Sequence, residues 1–259
     1  MNYHLDGKSA FVSAGAHGIG EAIADLLAQE GASVFVADQD EAALKDKAKK
    51  WKGTIAANLS TAEGVDRAVR SVLDIFGGPP DILINNLGVA EAGPFTEITD
   101  ERWAQSFQLN VMGCVRMCRA LLPGMLERGS GSVVNTGSDL AKQPEPTLMD
   151  YGACKASLLY ITKALAKEYA PTVRINTVLP GPIWSRMWTR DGGIVDQLMQ
   201  HYGLDRDASV KKFLDDRQMP MGIGQPEDVA HAVVFLASPL AKFITGAGLD
   251  IGGTIRGLV

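Results

Sequence analysis

Cysteine is scarce in this chain. Cys114, Cys118 and Cys154 are the only three in 259 residues, and they offer neither a disulfide framework nor the paired C-x-x-C spacing of a zinc site. Cys114 and Cys118 stand one helical turn apart, where small buried hydrophobes are expected. Histidine is equally sparse: His4, His17, His201 and His231 are scattered, with no H-E-x-x-H and no carboxylate cluster, so no metal is expected. There is no basic excess. A formal net charge of −5 argues against a nucleic-acid or anionic-membrane surface and leaves a small molecule as the expected partner. Long hydrophobic runs are missing too; stretches such as Ala232 to Ala237 cannot span a bilayer, and Met1 to Gly7 lacks the basic flank of a leader. A cytoplasmic protein is expected. No linker or charge block divides the sequence, so 1–259 is expected to form one domain, and Lys45 to Lys52 is the solvated face of a helix.

What is present is an alternation. Short, β-branched apolar runs at Ser9 to Ser13, Ser33 to Ala37, Thr54 to Ala57, Ile82 to Asn85, Ser132 to Asn135, Val173 to Leu179 and Leu249 to Ile251 are predicted strands. Amphipathic stretches fill the gaps. Nearly continuous apolar strands separated by helix-length connections predict a Rossmann-type α/β fold: a doubly wound parallel sheet of about seven strands with helices on both faces. Helix starts are marked locally, by capping-box spacing at Ser60-Thr61-Ala62-Glu63 and by Pro226-Glu227-Asp228. Residues 184–221 break the rhythm with methionine, tryptophan, aspartate and glycine, and are expected to form a lid over a substrate site.

Chemistry gathers at three places. The first strand runs into Ser13-Ala14-Gly15-Ala16-His17-Gly18-Ile19-Gly20 and then a helix, where a dinucleotide pyrophosphate meets backbone N–H groups at a helix N-terminus. Asp38 closes the second strand, eighteen residues after Gly20, where an acid accepts from both adenosine ribose hydroxyls and repels a 2′-phosphate. Gln39 and Asp40 follow it, with no arginine, so NAD is the expected cofactor. Third, Tyr151 and Lys155 lie one helical turn apart, thirteen residues beyond Ser138. A free phenol titrates near ~10, so acid/base work near neutrality asks for a downward shift of about three units, roughly 4 kcal/mol. A cation at ~4 Å and an effective dielectric of about 20 supplies roughly that much, so Lys155 is expected to acidify Tyr151.

With the glycine turn, Asp38, Asn85-Asn86, Asn110, Ser138, Tyr151 and Lys155 in order, the chain resembles the classical short-chain dehydrogenase/reductase family over nearly its whole length. Asn58-Leu59, Asn86-Leu87-Gly88, Pro180-Gly181-Pro182-Ile183 and Ile244-Thr245-Gly246 extend the likeness. The resemblance implies an NAD-dependent oxidoreductase acting on a secondary alcohol or ketone. Tyr151 would be the proton-transferring group, Ser138 would hold the reacting oxygen, Lys155 would also bind the nicotinamide ribose, and Asn110 would anchor a water leading from Lys155 to solvent. Cofactor contacts are implied for Ser13, Gly15, His17, Gly18, Ile19, Gly20, Asp38, Asn58, Leu59, Asn86, Gly88, Pro180, Gly181, Ile183 and Ser185, besides Tyr151 and Lys155. Two residues depart from the family pattern: Ala14 stands where its turn has glycine, and Leu87 where its N-N-A-G segment has alanine. Either is expected to tighten the groove.

Around the expected pocket, Leu140, Gln143, Leu148, Trp184 and Met187 join Ser138 and Tyr151 as candidate substrate contacts, with Val89, Ala90, Glu91 and Asp139 nearby. A sugar, a cyclic diol, a hydroxy acid and a 3-oxoacyl thioester fit this mixture; alternatives outside hydride transfer are a lyase or isomerase using the same tyrosine, and a catalytically silent dinucleotide binder. The resemblance also implies a homotetramer, and the helices around Val111 to Leu126 and Tyr151 to Ala170 carry apolar residues on more than one face, as burial between subunits requires.

Overall fold

The computed structural model describes residues 2–253; Met1 and 254–259, the two ends of the expected single domain, lie outside the described residues. Seven strands form one sheet: β1 (Ser9–Ser13), β2 (Ser33–Asp38), β3 (Gly53–Ala56), β4 (Ile82–Asn85), β5 (Gly131–Thr136), β6 (Val173–Pro180) and β7 (Gly248–Ile251). Their order is β3-β2-β1-β4-β5-β6-β7, and each neighbouring pair is parallel. The expected fold is therefore found, with strand bounds within one or two residues of those read from the sequence.

Both sheet faces are buried, which is why the strands are apolar throughout rather than alternating. On one face α1 (Gly18–Gln29) packs beside the later helix α10 (Pro226–Ala237), joining Val12, Val34 and Ile84 to Ile23, Leu27 and Val233. The chain between them supplies α2 (Glu41–Lys47), α3 (Ala62–Phe76), α4 (Asp100–Phe107), α5 (Gly113–Arg128), α6 (Met149–Tyr169), α7 (Arg186–Thr189), α8 (Ile194–Tyr202) and α9 (Arg206–Asp216). Of these α3, α5 and α6 cover the opposite face, where Phe11, Leu83 and Val133 meet Val72, Met117 and Leu158. Cys114, Cys118 and Cys154 are free and buried, as small hydrophobes. Caps are local: Thr61, not Ser60, accepts the Gly64 N–H at the start of α3, and Asp228 accepts from the Gln225 N–H ahead of α10. No helix among the described residues is long and apolar enough to cross a membrane.

Two features position the site. Between α4 and α5 the helix widens into a π turn, Gln108–Met112, which buries Asn110 beneath the end of β4. Residues 184–221 fold as α7, α8 and α9 around their own small core of Trp188, Val195, Phe213 and Met219.

Candidate active site

The sheet reverses its winding between β1 and β4, so the loops leaving those strands part and open a crevice at their C-terminal ends. One cavity of about 310 Å³ occupies it. Ala14, His17, Gly18, Ile19 and Asp38 form one wall, and Asn86, Gly88, Ser138, Tyr151 and Lys155 the other. Pro180, Gly181, Ile183, Ser185 and Met187 close it from the end of β6. Asn58 and Leu59 line an adjoining cavity of about 150 Å³ that shares Asp38 and Gly88.

Three expected cofactor residues lie elsewhere. Ser13 is fully buried; its hydroxyl donates to the Ile84 carbonyl at 3.1 Å and accepts the Asn86 N–H at 2.9 Å, clamping β1 to β4. Gly15 and Gly20 line neither cavity: a side chain on Gly15 would strike Val36 and one on Gly20 would strike the Ala14 carbonyl. Their role is close backbone packing beneath the turn.

At the catalytic end, Lys155 is 1% exposed and donates to the carbonyls of Leu87 at 2.8 Å and Thr136 at 2.9 Å. Its ammonium lies 5.5 Å from the centre of the Tyr151 ring. Burial pulls the lysine down to about 8. Tyr151 sits within hydrogen-bonding reach of Ser138, and burial pushes its phenol up to about 12, against the lowering effect of that serine. The expected acidification by Lys155 is thus reversed in the chain alone. The reason is that desolvation of the phenolate, with repulsion from Asp139 and Cys154 added to it, outweighs the serine's help, while the Lys155 ammonium is engaged by two carbonyls. Asn110 lies behind Gly88, donating to the carbonyls of Val89 at 3.1 Å and Ser106 at 3.0 Å and accepting the Val89 N–H at 3.1 Å. It shapes the loop that carries the Lys155 acceptor, and its amide reaches no hydrogen bond to Lys155 itself.

At the far end, Asp38 accepts N–H groups from Ala16 and Asp40, each at 3.0 Å. Sequence reading missed the clasp beside it. One oxygen of Asp40 holds His17 at 2.8 Å and Arg186 at 3.4 Å, and Arg186 also reaches His17 at 3.0 Å. The backbone N–H of Ala43 and the bond from His17 bring Asp40 down to about 2. Arg186 belongs to α7, so this cluster fastens the 184–221 segment across the groove mouth. No periodicity announces such a contact, because Arg186 lies 146 residues from Asp40 and 169 from His17.

On the substrate side a cavity of about 690 Å³ is lined by Leu148, Met187, Arg190, Phe213 and Arg217, and Met187 borders both large cavities. Of the expected substrate contacts, Leu148 and Met187 line this cavity, while Ser138 and Tyr151 line the crevice that Met187 also borders. Trp184 instead packs edge-on against Trp188 at 5.6 Å on the flank of the small helical core, and Trp188 itself lines the crevice. Leu140 and Gln143 also line neither of these cavities; they follow Ser138 on a turn packed against α6, with the Gln143 amide nitrogen buried and unpaired.

Both departures from the family pattern are explained. Ala14 adopts φ +50°, a left-handed conformation glycine would take without strain. Leu87 lies where a methyl on Gly113, at the start of α5, would collide with it, so the larger side chain is absorbed by that glycine.

Comparison with known proteins agrees with this geometry. Residues 13–253 match a family model described as enoyl-(acyl carrier protein) reductase. The chain is 35% identical to 2-keto-3-deoxy-L-fuconate dehydrogenase of Xanthomonas campestris, over 97% of this chain and 81% of that one. Among solved structures, L-sorbose reductase from Gluconobacter frateurii, complexed with NADPH and L-sorbose, superposes with TM-score 0.92 at 32% identity and full coverage of both chains. The 3-ketoacyl-(acyl-carrier-protein) reductase of Brucella melitensis, complexed with NADH, gives TM-score 0.82 at 32% identity, covering 96% and 98%.

Proposed function

Because the chain belongs to the short-chain dehydrogenase/reductase family, we propose that it moves a hydride between NAD(H) and a small-to-medium secondary alcohol or ketone, with Tyr151 as the acid/base. The observation that carries this is the convergence of Ser138, Tyr151 and Lys155 on the same crevice whose other end is floored by Asp38. The residues fit a dinucleotide: the crevice passes the N-terminus of α1 at Gly18, φ +53°, whose bare Cα faces Ser185, and continues into the smaller cavity at Asn58 and Leu59. A bound nicotinamide coenzyme supplies or accepts the hydride and, oxidised, adds a positive charge near the phenol.

The chain's own residues do the rest. The Tyr151 hydroxyl gives its proton to a carbonyl oxygen in reduction and takes one from the alcohol in oxidation. Ser138 fixes that oxygen beside the phenol when its hydroxyl proton is free to turn from Asp139. Lys155, held by Leu87 and Thr136, stands between phenol and groove to bind ribose hydroxyls, and Ile183 and Ser185 would meet the carboxamide. Asp38 supports NAD over NADP: each of its oxygens has a lone pair left for a ribose hydroxyl, while Arg186 and His17, which line the same crevice, are engaged by Asp40 rather than offered to a 2′-phosphate. On this reading one domain carries both functions, with 184–221 over the substrate. Three free, buried thiols suit the reducing cytoplasm.

The test is a panel of secondary alcohols, sugars, hydroxy acids and a 3-oxoacyl thioester, each assayed with NAD⁺/NADH and NADP⁺/NADPH. Turnover with NAD(H) is expected. Replacing Tyr151 by Phe should lower it by about 10²–10⁴-fold and leave NAD⁺ affinity, measured by titration calorimetry, unchanged; a variant keeping more than about a tenth of the rate contradicts the assignment.

A further inference from the structure

Ser138 has one hydroxyl proton and two lone pairs. In the structure that proton points to Asp139 Oδ1 at 3.0 Å, and one lone pair takes the Leu140 N–H at 3.2 Å. Asp139 is only 9% exposed, opening the tight turn Asp139–Ala141 directly after β5 and its serine. Its backbone carbonyl accepts the N–H groups of Lys142 and Gln143, both at 2.9 Å, so the carboxylate is held in place from its own turn. A hydroxyl donating to a carboxylate cannot give the same proton to a substrate. Yet a carbonyl oxygen that gathers charge during reduction is stabilised by every donor aimed at it.

We propose that Asp139 is a positioning residue that acts through Ser138, setting whether the serine hydroxyl is available as a donor to the reacting oxygen. While Asp139 is ionised it keeps the serine proton, and the oxygen has Tyr151 as its donor. When Asp139 takes up a proton from solvent, the carboxyl donates to Ser138 Oγ and the serine's own proton swings to the substrate oxygen. One proton is exchanged with water, and no bond between heavy atoms changes.

The surroundings favour uptake of that proton. Burial raises the Asp139 carboxyl above the usual range and outweighs the lowering effects of the bonds from Ser138 and the Leu140 N–H and the pull of Arg217, and Asp250 on β7 adds repulsion. Arg217 is itself paired with Glu145. Asp250 is paired through one oxygen with Lys142 at 2.7 Å, while its other oxygen is buried without a partner. Across the turn, the repulsion between Asp139 and a Tyr151 phenolate acts on both groups.

The inference rests on the hydride-transfer reading, and the experiment separates the two. Ketone reduction by NADH is followed between pH 4.5 and 7.5, below the Lys155 value of about 8 and the Tyr151 value of about 12. In the wild-type protein kcat should fall about tenfold as pH rises, the worth of one donor to a charged oxygen, with KM unchanged. That limb should vanish in Asp139→Asn and in Asp139→Ala, and also in the slower Ser138→Ala, because Asp139 works through the serine. NADH titration and circular dichroism check that each variant is folded, and either Asp139 variant suffices if the other is not. A flat wild-type profile, or a limb that persists in a folded Asp139 variant or in Ser138→Ala, overturns the role of Asp139 and leaves the reading intact. No turnover with any coenzyme removes both.

Discussion

Tyr151 and Lys155 are two groups whose burial works against the charged form of each. The phenol near 12 and the lysine near 8 define opposite demands on the two directions of reaction. Alcohol oxidation needs the phenolate, which is the minor form below its raised pKa and grows about tenfold per pH unit. Ketone reduction needs the phenol, which is the dominant form throughout neutrality. Oxidation, measured as kcat/KM, should therefore climb from pH 6 to 8 with a slope near one and bend over above about 8, where loss of the Lys155 charge removes support for the phenolate. A profile flat over that window would show that burial does not set the phenol's behaviour. Ala14 makes a separate prediction at this scale. Its left-handed backbone costs about 1–2 kcal/mol, of which glycine would recover most, less about 0.4–1 kcal/mol for the freer unfolded chain. Ala14→Gly should raise stability by about 0.5–1 kcal/mol, read as a thermal midpoint a few degrees higher, with the Asn86 bond to the residue-14 carbonyl retained.

Between elements, the fit of Leu87 to Gly113 shows how a departure in one loop is accommodated by another helix. Leu87 follows β4 and must leave its carbonyl facing Lys155, so its side chain turns toward the start of α5. A methyl at residue 113 would meet that side chain and also the Leu59 carbonyl at 2.8 Å. Gly113→Ala should accordingly destabilise by about 1–3 kcal/mol through overpacking. Combining it with Leu87→Ala should recover part of the loss, since the Leu59 clash remains; a denaturant double-mutant cycle with no coupling between the two sites would refute this packing account. The strands themselves were legible because a sheet covered on both faces leaves its mark on every residue of a strand. The 184–221 helices were legible only as a break in rhythm. Trp184 was misplaced for that reason: composition marks a covering segment, but which tryptophan turns inward depends on how α7 meets α9.

At the scale of the whole molecule, the meeting of Ser138, Tyr151 and Lys155 at one crevice was legible in the sequence because it depends on local spacing, Tyr151 to Lys155 along one helix and Ser138 just past the end of one strand. The sequence did not disclose the Arg186–Asp40–His17 clasp, the packing of the Leu140 and Gln143 turn against α6, or the bonds by which Ser13 joins β1 to β4, each of which is settled by contacts between distant segments. Association is likewise a property of surfaces that only the assembled fold presents. Among the described residues, the exposed apolar side chains include Phe107 and Tyr160 on the packed pair α4 and α6, with Tyr160 77% exposed, and Leu240, Phe243 and Leu249 on and beside the edge strand β7, with Phe243 fully exposed. Large apolar side chains grouped in this way favour burial against another surface. Two self-complementary faces on one chain generate a closed dihedral tetramer when both are used. We propose that assembly, which predicts a mass near 110 kDa by light scattering, four times the 27.6 kDa chain. Phe243→Asp should close off one face and leave a species of about 55 kDa, two chains of 27.6 kDa, paired through α4 and α6. Tyr160→Asp should do the same through the β7 side, and the double variant should run as a monomer. A wild-type monomer at micromolar concentration, or a tetramer untouched by both substitutions, would place subunit contacts elsewhere and leave these side chains to solvent.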